Sequence, residues 1–180
     1  MMNYKYYPVG EAAIDYKPGD FFLVETKGAA AKVIRFGQWL RYHGKMKPFS
    51  HWNHTGVIIN SNGDTVEAKP TNVSQGNIRD YVDCPVYIIS TKLNNQSAQQ
   101  VEAAAKSFLN DKYGWLTIGS IVLQLLTGVK VQLSFSKSVV CSGLVAQSLW
   151  AGGIIFSENP FQMMPADLAA AFNVVRKQNE

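Results

Sequence analysis

Residues 55–68 hold two short β-type runs, Thr55-Gly56-Val57-Ile58-Ile59-Asn60 and Thr65-Val66-Glu67-Ala68, separated by Ser61-Asn62-Gly63-Asp64. An Asn-Gly step between two such runs supplies the positive φ angles that a tight turn demands, and it predicts an antiparallel hairpin. Pro18-Gly19-Asp20 predicts a second turn, which launches the apolar strand Phe21-Phe22-Leu23-Val24. Val86-Tyr87-Ile88-Ile89 reads as a further strand. Helical spacing of apolar residues predicts helices over 29–42, 97–109, 116–126 and 139–149, the last stopped by Gly152-Gly153. Pro165-Ala166-Asp167-Leu168 opens a final helix to Phe172, and 44–50 reads as a loop. The expected class is α+β: a small antiparallel sheet or barrel packed against helices, with the helix after Cys141 buried.

No repeat, linker or low-complexity tract divides the 180 residues, so a single domain over 1–180 is expected. Nearly half the residues are apolar (47%), enough for a true core. Seventeen basic against thirteen acidic residues leave a charge of +4, with the lysines scattered. No basic stripe of the kind that nucleic acid requires is present, although a weak attraction to an anionic membrane or wall polymer fits the sign. Two cysteines, Cys84 and Cys141, make neither a disulfide framework nor a CxxC metal motif. The N-terminal residues lack the apolar core of a signal peptide, which makes the cytoplasm the default expectation. The apolar stretch 116–131 is interrupted by Thr117, Ser120, Gln124, Thr127 and Lys130. A membrane span wants about 20 mostly apolar residues, so a buried helix is expected there, with peripheral lipid contact as the alternative.

Three residues could carry chemistry together. Cys141 follows the β-branched pair Val139-Val140 and begins a helix. In the first turn of a helix a thiol meets free N–H groups and the positive end of the dipole, which favour thiolate and can receive an oxyanion. The alternative is a buried structural cysteine. Cys84, between Asp83 and Pro85, has no helix start to activate it and reads as structural. His54 opens the first hairpin strand and is the best base, with His51 and His43 as alternatives. The three histidines have no HxxxH or HxH spacing, so no metal is expected. Glu67 lies across the Asn-Gly turn from His54 and at about its level if the hairpin is regular, where a carboxylate could fix the imidazole's tautomer.

In order along the chain, Lys17-Pro18-Gly19-Asp20 before an apolar strand, Ser50-His51-Trp52-Asn53-His54-Thr55-Gly56-Val57, Cys141-Ser142-Gly143-Leu144-Val145 and Pro165-Ala166-Asp167-Leu168 resemble four motifs of one family. These belong to the circularly permuted branch of the NlpC-type papain-like hydrolases, which includes the YiiX-like and YaeF-like proteins and, more distantly, the lecithin–retinol acyltransferase group. The resemblance spans 17–168. It implies a permuted papain-like fold, with Cys141 as nucleophile, His54 rather than His51 as base, and Glu67 as the third polar residue. Tyr113, in Tyr113-Gly114-Trp115, resembles an aromatic element that lines the site near the thiol. Ser142 and Trp52 are further candidates for contact with substrate or oxyanion.

The expected activity is a thiol hydrolase, amidase- or peptidase-like, acting through a Cys-His-Glu triad without a cofactor. The resemblance implies peptide-type amides such as those of bacterial cell walls as the first substrate class, and lipid esters or amides as the second. The alternatives are an acyltransferase or lipase-like enzyme and a non-catalytic binding domain that keeps the fold.

Overall fold

The computed structural model describes residues 4–42, 44–113 and 138–176. The hairpin forms where the Asn-Gly step predicts it. Strand β3 (His54–Ile58) pairs antiparallel with β4 (Asp64–Ala68) through Val57↔Val66 and Ile58↔Thr65. The turn is locked from within: the Asn60 side-chain oxygen accepts from the N–H groups of Asn62 (3.0 Å) and Asp64 (3.1 Å). Gly63 holds φ +83°, and a Cβ there would meet the Tyr16 hydroxyl at 2.6 Å. Position 63 is thus glycine for both conformation and space.

Around this hairpin a six-stranded antiparallel sheet assembles in the order β1-β6-β2-β3-β4-β5. Its other members are β1 (Tyr4–Tyr7), β2 (Phe21–Val24), β5 (Val73–Asn77) and β6 (Val86–Ile89). The barrel alternative is not realised: among the described strands the sheet runs from β1 to β5 without closing, and the start of β5 is instead met by the chain at Asn110–Asp111, bonded to Val73. The sheet buries one face under a helical layer instead of curling on itself. A two-residue parallel pair, β7 (Lys112–Tyr113) with β8 (Ser138–Val139), lies outside it.

Four helices are α1 (Ala29–Arg41), α2 (Asn95–Ser107), α3 (Cys141–Ala151) and α4 (Pro165–Ala171). The helix expected over 116–126 falls outside the described residues. The segment read as a loop before His54 forms a 3-10 turn, Gly44–Phe49. Asn94 caps α2 by accepting from Ser97 N–H at 2.9 Å, and Ala98, Val101 and Ala105 give it a buried face. Helix α3 carries no charge and is buried from Cys141 to Leu149 save at Gln147, as a central helix must be.

The strand alternation separates two cores. Phe21, Leu23, Val57, Val66, Tyr87 and Ile89 face the helices and pack with Leu144, Val145, Leu149 and Leu168. Phe22, Val24, Ile58, Val86 and Ile88 face the other way, onto Tyr7, Ala13 and Ile78. Strand β2 is buried on both faces, which explains why it reads as an unbroken apolar run.

The Pro-Gly-Asp turn is a clasp rather than a surface loop. Buried Asp20 accepts from Lys17 N–H (2.9 Å) and Thr91 N–H (3.0 Å), while its carbonyl accepts from Ile58 N–H (2.8 Å). Burial holds its carboxyl above the usual range despite these donors. Three chain segments thereby meet at one residue, beside β3.

Candidate active site

His54 is fixed before its side chain is considered. Its backbone pairs with Val24 on β2. The preceding residue, buried Asn53, accepts from Thr26 N–H (2.9 Å) and donates to Thr26 C=O (3.0 Å). Buried Gln38 of α1 donates to the Trp52 carbonyl (2.6 Å) and accepts from Ala166 N–H at the start of α4 (2.8 Å). The approach to β3 is therefore tied to both α1 and α4.

Within β3, alternation sends His54 and Gly56 to the face that carries Phe22, away from Thr55 and Val57. The imidazole lies 6.0 Å from the Phe22 ring and 5.7 Å from the Tyr81 ring, centre to centre. Its Nε2 is 2.8 Å from Oε2 of Glu67. Glu67 is fully buried (0%), whereas the His54 side chain is 14% exposed.

A buried carboxylate needs several donors, and Glu67 has them. Thr65 Oγ1 donates to Oε1, Tyr81 Oη donates to Oε2, and Lys69 Nζ stands 3.8 Å from Oε2. Burial alone would raise its pKa, but the His54 contact and these hydroxyls hold it below the ordinary carboxyl value. Glu67 is thus an anion at neutral pH.

Cys141 is the first residue of α3 and is almost covered (2% exposed). Its thiol lies close enough to the His54 ring to act on the imidazole's proton affinity. With Nε2 given to Glu67, Nδ1 is the ring nitrogen left for sulfur. Burial disfavours the charged ring, yet the influence of Cys141 and Glu67 outweighs it and pushes His54 up to about 9. The doubly protonated ring is accordingly favoured, with Nε2–H toward Glu67. No side chain caps α3, since its N-cap residue is Val140. Among the described residues no side chain accepts from the first N–H groups of this helix.

No protein-family model and no curated protein matches this chain. What the site can do follows from its own geometry.

That geometry brings Cys141, His54 and Glu67 together. Of the remaining expected residues, Ser142 and Trp52 turn into the core. Ser142 is buried, and its hydroxyl donates to the Met163 carbonyl at 2.6 Å, which fixes α3 against the chain leading to α4. Trp52 is a core residue, packed edge-on to Tyr87 at 4.6 Å. Tyr113 ends β7 beside Val139 in register, two residues before Cys141, and its side chain lies outside the described set. His51 is exposed, and His43 lies outside the described residues. Cys84 carries a thiol raised by burial and by the charge of Asp83.

Two functional residues escape a reading of the sequence: Tyr81 and Thr65, both donors to Glu67. Thr65 lies two positions before Glu67 on the same strand face, a spacing that could have exposed it. Tyr81 arrives through the short turn Ile78–Tyr81, whose start is marked by Asn77 and Asp80 in a capping box. Nothing local to that turn points toward Glu67. Burial and the charges of Glu67 and Cys141 keep the Tyr81 phenol above its usual range, so it stays a donor.

Proposed function

We propose that this protein is a thiol hydrolase of the permuted NlpC-type papain-like class, cleaving an amide through Cys141, His54 and Glu67. The observation that carries this reading is one imidazole hydrogen-bonded to a buried carboxylate and electrostatically coupled to the thiol that begins a buried helix. The order of elements supports it further: clasp and strand, His strand, Glu strand, Cys helix, closing helix.

The chemistry follows from the protonated ring. Cys141 Sγ attacks the scissile carbonyl carbon as a thiolate, its proton being the one held on His54 Nδ1, and the oxygen takes up negative charge near the first N–H groups of α3. His54 passes its Nδ1 proton to the departing amine, the C–N bond breaks, and an acyl thioester remains. The neutral imidazole then takes a proton from water, and the resulting hydroxide attacks the thioester. The acid product leaves and sulfur is restored. Throughout, Glu67 holds Nε2–H and balances the charge that appears on the ring.

Peptide amides of the bacterial wall type are the first substrate class, by resemblance. A panel of wall peptides, simple amides and phospholipids, assayed with wild type and Cys141→Ala, tests the reading. Amide turnover should fall by about four orders of magnitude or more in the variant with the fold intact. Undiminished hydrolysis by Cys141→Ala overturns it.

A further inference from the structure

Helix α1 turns an apolar face to solvent. Its buried side is made by Ala31, Ile34 and Gln38, and its opposite side carries Val33 (42% exposed), Phe36 (47%) and Trp39 (60%). The Phe36 and Trp39 rings stack on each other, 6.0 Å apart with planes at 23°. Large side chains at i, i+3 and i+6 on one outward face form a patch rather than scattered exposures.

The stretch of sequence that contains that patch carries charge of one sign. From Thr26 to Gly63 the chain holds six of its seventeen Lys and Arg and none of its thirteen Asp and Glu. Two of the six are engaged, Arg35 with Glu25 (2.6 Å) and Arg41 with Asp167 (3.8 Å). Lys27, Lys32 and Lys47 are exposed, and none of them has an ion-pair partner among the described residues.

We infer that α1 is a docking surface for an anionic lipid bilayer. An outward row of Trp, Phe and Val flanked by unpaired lysines has the composition of an interfacial helix. The aromatic rings suit the boundary between headgroup and acyl chain, and the lysines suit anionic headgroups. At 13 residues α1 is about 20 Å long, short of the roughly 30 Å hydrocarbon core, so it lies along the surface. A second copy of the chain would bring the same lysines face to face, which disfavours self-association through this patch. The inference does not depend on the catalytic reading.

Sedimentation with phosphatidylcholine vesicles, with and without phosphatidylglycerol, tests it. The full chain should bind the anionic vesicles and release them as salt rises. Phe36→Ser/Trp39→Ser and Lys27→Glu/Lys32→Glu should each lower the partition coefficient about tenfold or more, with unchanged circular dichroism. Trp39→Phe should keep binding but lose the tryptophan emission that brominated acyl chains quench. Two results overturn the proposal: no binding of wild type to anionic vesicles at low salt, or equal binding by Phe36→Ser/Trp39→Ser. Concentration-dependent dimerisation that this variant abolishes, without vesicle binding, gives the face to a second copy and overturns it as well.

Discussion

Glu67 reaches His54 along a diagonal. One step beyond the pairs Val57↔Val66 and Ile58↔Thr65, the residue opposite Glu67 is Gly56, not His54. The acidic side chain crosses Gly56 to arrive at the imidazole. A Cβ at position 56 would stand 2.6 Å from Glu67 Cγ and 2.8 Å from the Phe22 ring. On the other neighbouring strand, a Cβ at Gly76 would stand 2.6 Å from Glu67 Oε1. The carboxylate lies in a trough between two glycines.

Gly56→Ala should therefore damage the site more than its size suggests. The methyl group must displace either Glu67 or Phe22, and both are fully buried. A stability loss of about 1–3 kcal/mol is expected in denaturant unfolding, together with a His54 titration moved toward the ordinary imidazole value. An unchanged titration in this variant refutes the trough.

His54 itself should titrate near 9 when followed by the NMR signals of its ring protons. Its folded value lies above the ordinary imidazole value of 6.5. Proton binding there stabilises the fold fully below pH 6.5, and that contribution disappears as pH climbs through 9. Glu67 has the opposite sign: its contribution is present above the ordinary carboxyl range and lost in acid. Glu67→Gln should bring the His54 titration down and start the alkaline loss at lower pH. Thermal melts from neutral to alkaline pH check this, with His54→Ala expected to flatten the curve.

Tyr81→Phe keeps the ring against Phe22, 5.0 Å away, and removes only the donor to Glu67 Oε2. About 1–2 kcal/mol of stability should be lost. If Tyr81 acts by positioning Glu67, the variant also shifts the pH profile of turnover. A loss of stability with an unmoved profile limits Tyr81 to support of the fold.

Alkylation by iodoacetamide near neutral pH distinguishes an enzyme from a binding domain of the same fold. Exposure alone favours Cys84, since Cys141 is the buried one. Pairing with His54 favours Cys141, while burial and Asp83 hold the Cys84 thiol up. Cys141 should react first, and His54→Ala should slow it. Faster modification of Cys84 assigns the protein to the binding class.

The hairpin, β2, β6 and all four described helices were legible because each rests on local chemistry: an Asn-Gly turn, an apolar run, a helical stripe. So was the approach of Glu67 to His54, although reading the two as level missed the diagonal that Gly56 allows. Strand β5, Val-Ser-Gln-Gly-Asn, shows no apolar alternation. It forms because β4 offers an edge and because Gly76 leaves space for Glu67. Strand β1 pairs with β6 from the far end of the chain, which no local pattern announces. Tyr81 was invisible for the same reason. Ser142 and Trp52 sit beside the motif residues in sequence, but alternation and helix geometry turn them into the core.

His54 and Glu67 share one short hairpin, while Cys141 comes from a helix much later in the chain. Hairpins close within about 1–10 microseconds, and contacts of long sequence separation wait on slower loop closure. Topology thus favours an order of assembly in which the imidazole–carboxylate pair exists before sulfur joins it. A half-folded chain holds the Cys141 thiol without the imidazole beside it, and the two meet only when the last layer docks.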